Sequence, residues 1–127
     1  MKKVLISVLA VFAFLMSGCA GQKPMYEYGN YSETYYQLKQ NGDTETTGKW
    51  KAALEDSIKE SNEQGLRTPP GINANLGYLY LKVNDADKAI SFFNVEKTLY
   101  PESTVFMNKL IKKAELMKEG ETKSWNN

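Results

Sequence analysis

The chain contains no histidine, which removes the commonest general base and the commonest metal ligand together. It has one cysteine, Cys19, so no internal disulfide can form even in an oxidising compartment. Neither a glycine-rich phosphate loop nor a metal-ligand spacing occurs. Carboxylates, Ser, Thr, Lys and Tyr are the catalytic groups that remain, and the composition points away from an enzyme and from any metal or cofactor. A long apolar run is also missing. The longest, Val4 to Met16 broken by Ser7, falls short of the about 20 residues a membrane-crossing helix needs.

That run follows Lys2 and Lys3, the layout of a secretory leader. It ends in Met16, Ser17, Gly18 and Cys19, which resembles the lipobox of bacterial lipoproteins, with Met16 where that family usually has leucine. The resemblance implies cleavage after residue 18 and a diacylglyceryl thioether on Cys19. A free cysteine buried in an apolar segment is the alternative. Acyl burial contributes about 0.8 kcal/mol per CH₂, and two or three chains hold a protein stably on a bilayer. Ala20, in place of the aspartate that retains many such lipoproteins at the inner membrane, implies the periplasmic face of the outer membrane. A Gram-positive source would place it on the single membrane instead.

Without its leader the 127-residue chain keeps 109 residues, enough for one small domain. Losing Lys2 and Lys3 lowers the 16 basic residues to 14, against 15 acidic ones. The mature chain is near neutral, and no electrostatic case for nucleic acid exists. Eight tyrosines are present, and five of them fall in the eleven residues from Tyr26 to Tyr36. Such rings either pack against the domain or lie at the membrane surface.

Residues 19–30 read as a lipid-anchored tether and residues 31–118 as one all-helical domain, with 119–127 a flexible polar tail. Tyr31, Tyr35 and Leu38 predict a short helix to Gln40, with Ser32 as N-cap. Asn41 to Gly48 reads as a polar loop. Trp50, Leu54, Ile58 and Ser61 form the stripe of a longer helix over Thr47 to Glu63, stopped by Gly65. After the break at Pro69 and Pro70, with Pro70 in a first turn, Ile72, Leu76, Leu79, Tyr80 and Val83 predict another helix. A third long helix runs from Ala86 to Leu99 and Pro101 closes it. Glu102 and Ser103 open the last, on which Phe106, Leu110, Ala114 and Met117 repeat at helical spacing.

Residues 70–103 resemble a tetratricopeptide repeat, a helix-turn-helix unit of about 34 residues. Leu76, Gly77, Tyr80, Ala89, Phe93 and Pro101 stand at its signature positions. Gly77 and Ala89 are small where helices approach, and Tyr80 and Phe93 are large where the crossing leaves room. Glu96 departs from the family's alanine and implies looser packing at that point. One repeat cannot bury its own faces, so the expected architecture is a tetratricopeptide-like hairpin flanked by packing and capping helices.

A wider resemblance rests on Tyr28-Gly29-Asn30-Tyr31-Ser32 with Tyr35-Tyr36, Pro69-Pro70-Gly71 before Leu76-Gly77-Tyr78, and Pro101-Glu102-Ser103 before Phe106-Met107. It is to small bacterial lipoproteins of unassigned function associated with curli-type secretion-channel lipoproteins. The resemblance implies a non-enzymatic scaffold or accessory factor of an envelope secretion or assembly complex, with a channel lipoprotein as partner. The groove of tetratricopeptide domains maps to Ala74, Asn75, Tyr78 and Lys82, which would grip an extended peptide or its carboxylate, and which otherwise form a solvated helix face. An envelope hydrolase, or a small-ligand-binding lipoprotein, is the alternative. A hydrolase needs a carboxylate pair or an activated nucleophile, and only Glu55, Asp56 and Glu60 lie close enough on one helix to be considered.

Overall fold

The computed structural model describes Met1 and residues 21–125, with side chains as far as Gly120. Residues 2–20, which hold Cys19 and all but the first residue of the expected leader, lie outside the described residues. Those described form five α-helices and no strand: α1 (Tyr31–Asn41), α2 (Thr44–Gln64), α3 (Ile72–Lys82), α4 (Ala86–Leu99) and α5 (Thr104–Trp125), with a 3₁₀ turn over Pro101–Ser103 before α5. Each helix packs on the next in sequence, and the short connections turn the chain back at each junction. None is long and apolar enough to cross a membrane.

The first junction corrects the expected loop over residues 41–48. Only Gly42 and Asp43 separate α1 from α2. Gly42 takes a left-handed φ of 63° and its N–H reaches the Leu38 carbonyl. The Asp43 carboxylate then accepts from the Thr46 N–H at 2.7 Å while the Thr46 hydroxyl accepts from the Asp43 N–H at 3.2 Å. This is a reciprocal capping box with threonine where glutamate or glutamine is usual, so a stretch that reads as a loop by composition starts a helix. The Thr46 backbone and side-chain hydrogen bonds, in that order, lower the Asp43 pKa from 3.8. A depressed carboxylate adds stability above its unfolded value, which is lost as pH falls through the folded one. Asp43→Ala should therefore lower the melting temperature at neutral pH, with the difference from wild type shrinking below about pH 4 in acid-dependent melts.

Two other helix starts differ from expectation. Asn30 rather than Ser32 precedes α1. Gly71, left-handed at φ 87°, precedes α3, leaving Pro70 outside the helix. Leu66 N–H to Ser61 O at 2.8 Å closes the end of α2 behind Gly65. Asn84 turns the chain at φ 60° before Asp85 caps α4 through the Lys88 N–H.

The core has two parts with α3 and α4 between them. Trp50, Leu54, Ile72 and Leu76 make one, flanked by Tyr31, Leu38, Ile58, Leu79 and Phe92. Leu81, Ala86, Ala89, Phe93, Met107 and Ala114 make the other, joined by Leu110, Ile111 and Met117. On α5 the inward stripe runs through Met107, and Phe106, expected inside, is 60% exposed. The 3₁₀ turn ahead of α5 sets the phase at which its stripe meets α4. The helix also continues past Gly120 to Trp125, where a frayed tail was expected.

Gly77 meets Phe93 as size complementarity requires. A Cβ built on Gly77 would lie 2.5 Å from Phe93 Cε1 and 3.1 Å from the Ala89 carbonyl oxygen. Tyr80 stacks on Phe92 with ring centroids 5.5 Å apart.

Glu96 does not loosen the packing. Its carboxylate is buried and accepts from the Gly71 N–H at 2.7 Å and the Ala74 N–H at 3.3 Å, capping the amino end of α3 from α4. Two of the donors that a helix start leaves without partners are thereby satisfied, by a charge of the sign that the helix dipole favours.

Candidate partner-binding groove

A concavity of about 480 Å³ lies between α1 and α3 above the start of α2. Each wall carries a tyrosine and a lysine one turn apart. On α1 the Lys39 ammonium stands 5.6 Å from the Tyr35 ring centroid, and on α3 the Lys82 ammonium stands 5.2 Å from that of Tyr78. Trp50 and Thr47 enter from α2, with Leu38, Gly42, Asn75 and Leu79 completing the lining. Two cations and no carboxylate face the hollow, so its local potential is positive although the chain as a whole is near neutral.

The aromatic wall is fixed by packing. Tyr31 and Tyr35 rings lie nearly parallel with centroids 6.1 Å apart, and Tyr35 also meets Trp50 at 5.4 Å. Trp50 is 5% exposed, and its indole N–H finds no acceptor within the protein. Asn75 donates from Nδ2 to the Tyr31 hydroxyl at 3.3 Å, tying α3 to α1. Burial raises the Tyr31 pKa above that of an ordinary phenol, with the Asn75 bond opposing it. The hydroxyl therefore remains protonated at neutral pH.

Of the four residues singled out from the sequence, Asn75, Tyr78 and Lys82 line this hollow. Ala74 does not: it packs against the Phe93 cluster and its N–H is held by Glu96. The reason is rotation along the ridge. Positions i, i+4 and i+8 climb a row inclined to the helix axis, so the lower end of the row turns away from α1 toward α4. Tyr35, Lys39 and Trp50 were not expected at the site. A signal for two of them was present, since Tyr35 and Lys39 repeat the spacing of Tyr78 and Lys82.

The acidic cluster considered for hydrolysis is divided. Glu55 pairs with Lys51 at 2.7 Å, whereas Asp56 and Glu60 border a separate hollow with Lys49, Asn30 and Thr34. Lys49 is itself paired with Glu45 at 2.6 Å. Among the described residues no group of three acidic, histidine or cysteine side chains is arranged to hold a metal.

A family model described as a domain of unknown function, DUF4810, matches residues 25–110, which includes every residue of the groove. No curated protein and no solved structure matches the chain.

Proposed function

The chain belongs to the DUF4810 family, and we propose that it is a lipid-anchored, non-enzymatic scaffold whose groove between α1 and α3 holds a segment of an envelope protein. The observation that carries this reading is the pair of tyrosine-lysine walls facing each other with no carboxylate between them. Flat rings offer large contact area at low conformational cost, as at protein interfaces generally. Lysines on both rims favour an acidic side chain or a terminal carboxylate on the partner.

The anchor is the acylated Cys19, by resemblance to the lipobox, and the location is the periplasmic face of the outer membrane. The α3–α4 hairpin takes the role of a tetratricopeptide-like unit, supported by the fit of Gly77 against Phe93, with α1, α2 and α5 covering its sides. The partner proposed is a curli-type secretion-channel lipoprotein.

The test is mass spectrometry of proteins co-purifying with the protein from detergent-solubilised membranes. Wild type should bring down one envelope protein in stoichiometric amount, and the Lys39→Glu, Lys82→Glu double variant should lose it. Both lysines are exposed, and such surface changes usually alter stability by no more than about 0.5 kcal/mol each, so the melting temperature should hardly move. Cys19→Ser should leave the protein in the soluble fraction. A wild-type protein recovered as a clean monomer contradicts the scaffold reading.

A further inference from the structure

We infer that the end of the domain bearing Met25, Val105 and Phe106 sits in the headgroup layer of the bilayer that holds the Cys19 lipid, so that the groove points away from the membrane. The inference rests on the proposed acylation of Cys19 and adds an orientation to it.

The arm ahead of α1 is fastened to the domain rather than trailing from it. Lys23 Nζ donates to the Gln64 carbonyl at 3.3 Å. The Ser57 hydroxyl donates to the Glu27 carbonyl at 2.6 Å. Between these two ties the Tyr26 ring meets that of Tyr28 edge-on, with centroids 6.2 Å apart. Cys19 precedes Lys23 by four residues, roughly 14 Å of fully extended chain. The lipid is thus confined to the neighbourhood of Gln64.

Connectivity shows which end of the molecule this is. Gln64 ends α2, Ile72 begins α3, Leu99 ends α4 and Thr104 begins α5. Because successive helices reverse direction, these four termini share one end. Val105 and Phe106 lie in the first turn of α5 and are 72% and 60% exposed, and Met25 on the arm is 77% exposed. Scattered apolar side chains on a surface are ordinary. Here three of them are brought to the end where the chain leaves for its lipid, and rings and apolar side chains are favoured at the boundary between headgroups and acyl chains. Lys23, Arg67 and Lys97 stand at this end against Glu63 and Glu102, a balance of one positive charge, so the contact is mainly apolar and should persist at high salt.

The groove runs from Asn75, one turn into α3, toward the opposite end. Gly42, Thr47 and Lys82 line it, and they flank the α1–α2 and α3–α4 junctions. A domain seated on Val105 and Phe106 would offer it to the aqueous side.

The experiment uses the acylated protein in vesicles of phosphatidylethanolamine and phosphatidylglycerol. Cys19 is the only cysteine and its thiol is consumed by lipid, so Phe106→Cys and Lys82→Cys each give a single site for a nitroxide label. Collisional relaxation by oxygen and by a water-soluble nickel chelate reports depth. At position 106 the ratio of oxygen to nickel accessibility should be several-fold higher than at position 82, at both low and high salt. Equal ratios in a protein that floats with the vesicles and carries the acyl mass overturn the orientation alone. A protein that lacks the acyl mass overturns the anchor reading, and the orientation with it.

Discussion

Phe93→Ala is expected to destabilise the domain by about 3–5 kcal/mol, the range for removing a buried ring from a core that cannot fully collapse. Phe93 is completely buried and joins α4 to both α3 and α5 through Gly77 and the Met107–Ala114 cluster. A small domain has about 5–15 kcal/mol in total, so the variant should melt far below wild type in urea or heat. The same contact makes a sharper claim about Gly77. In the wild type, Gly77→Ala gains about 1 kcal/mol of helix propensity but forces a methyl to 2.5 Å from a ring held on all sides, and overpacking costs about 1–3 kcal/mol. In the Phe93→Ala background the ring is gone and only the 3.1 Å approach to the Ala89 carbonyl oxygen opposes the propensity gain. Gly77→Ala should therefore destabilise the wild type and cost much less in Phe93→Ala, a coupling that a double-mutant cycle reads directly.

Glu96→Ala should cost about 2–4 kcal/mol. A hydrogen bond to a charged group contributes about 1.5–3 kcal/mol, and a carboxylate at a helix amino end about 0.3–1 kcal/mol more. Because Glu96 is 3% exposed, water does not readily replace it on the Gly71 and Ala74 amides. Glu96→Gln keeps an acceptor oxygen and loses the charge, so its loss should be roughly half as large. Amide hydrogen exchange separates this from a general loss of packing. Gly71 and Ala74 should exchange faster than their neighbours on α3 in Glu96→Ala, and Phe93→Ala should raise exchange along α3 and α4 together.

Much of the fold could be read from local signals. The limits of α4 follow from Asp85 before it and Pro101 after it, residue types whose effect on a helix is fixed by their own chemistry. The misreadings share a cause. At Asp43 and Thr46 a polar stretch became a helix start because each side chain accepts from the other's backbone N–H across one turn. At Glu96 a residue that breaks a repeat signature supports the next helix over, through partners 22 and 25 positions away in the chain. Phe106 and Met107 are adjacent, so a small shift in helical phase decides which is buried. In each case the deciding interaction depends on a geometry that spacing alone leaves open.

The groove was half legible for the same reason. Asn75, Tyr78 and Lys82 lie on one helix and announce themselves by periodicity. Tyr35, Lys39 and Trp50 join them only when α1 and α2 fold back, and no motif on α3 calls for them. What the sequence does contain is the repeated spacing of tyrosine and lysine on α1 and α3, which has meaning once the two helices are known to face each other.

The proposed scaffold role depends on the groove being the partner surface. The most direct measurement is photo-crosslinking in living cells from a reactive phenylalanine analogue placed at Tyr78, compared with the same analogue at Lys112 on α5. A discrete adduct of one size from position 78, absent from position 112 and lost in the Lys39→Glu, Lys82→Glu background, is the predicted result. No adduct from position 78, or the same adducts from both positions, would contradict it.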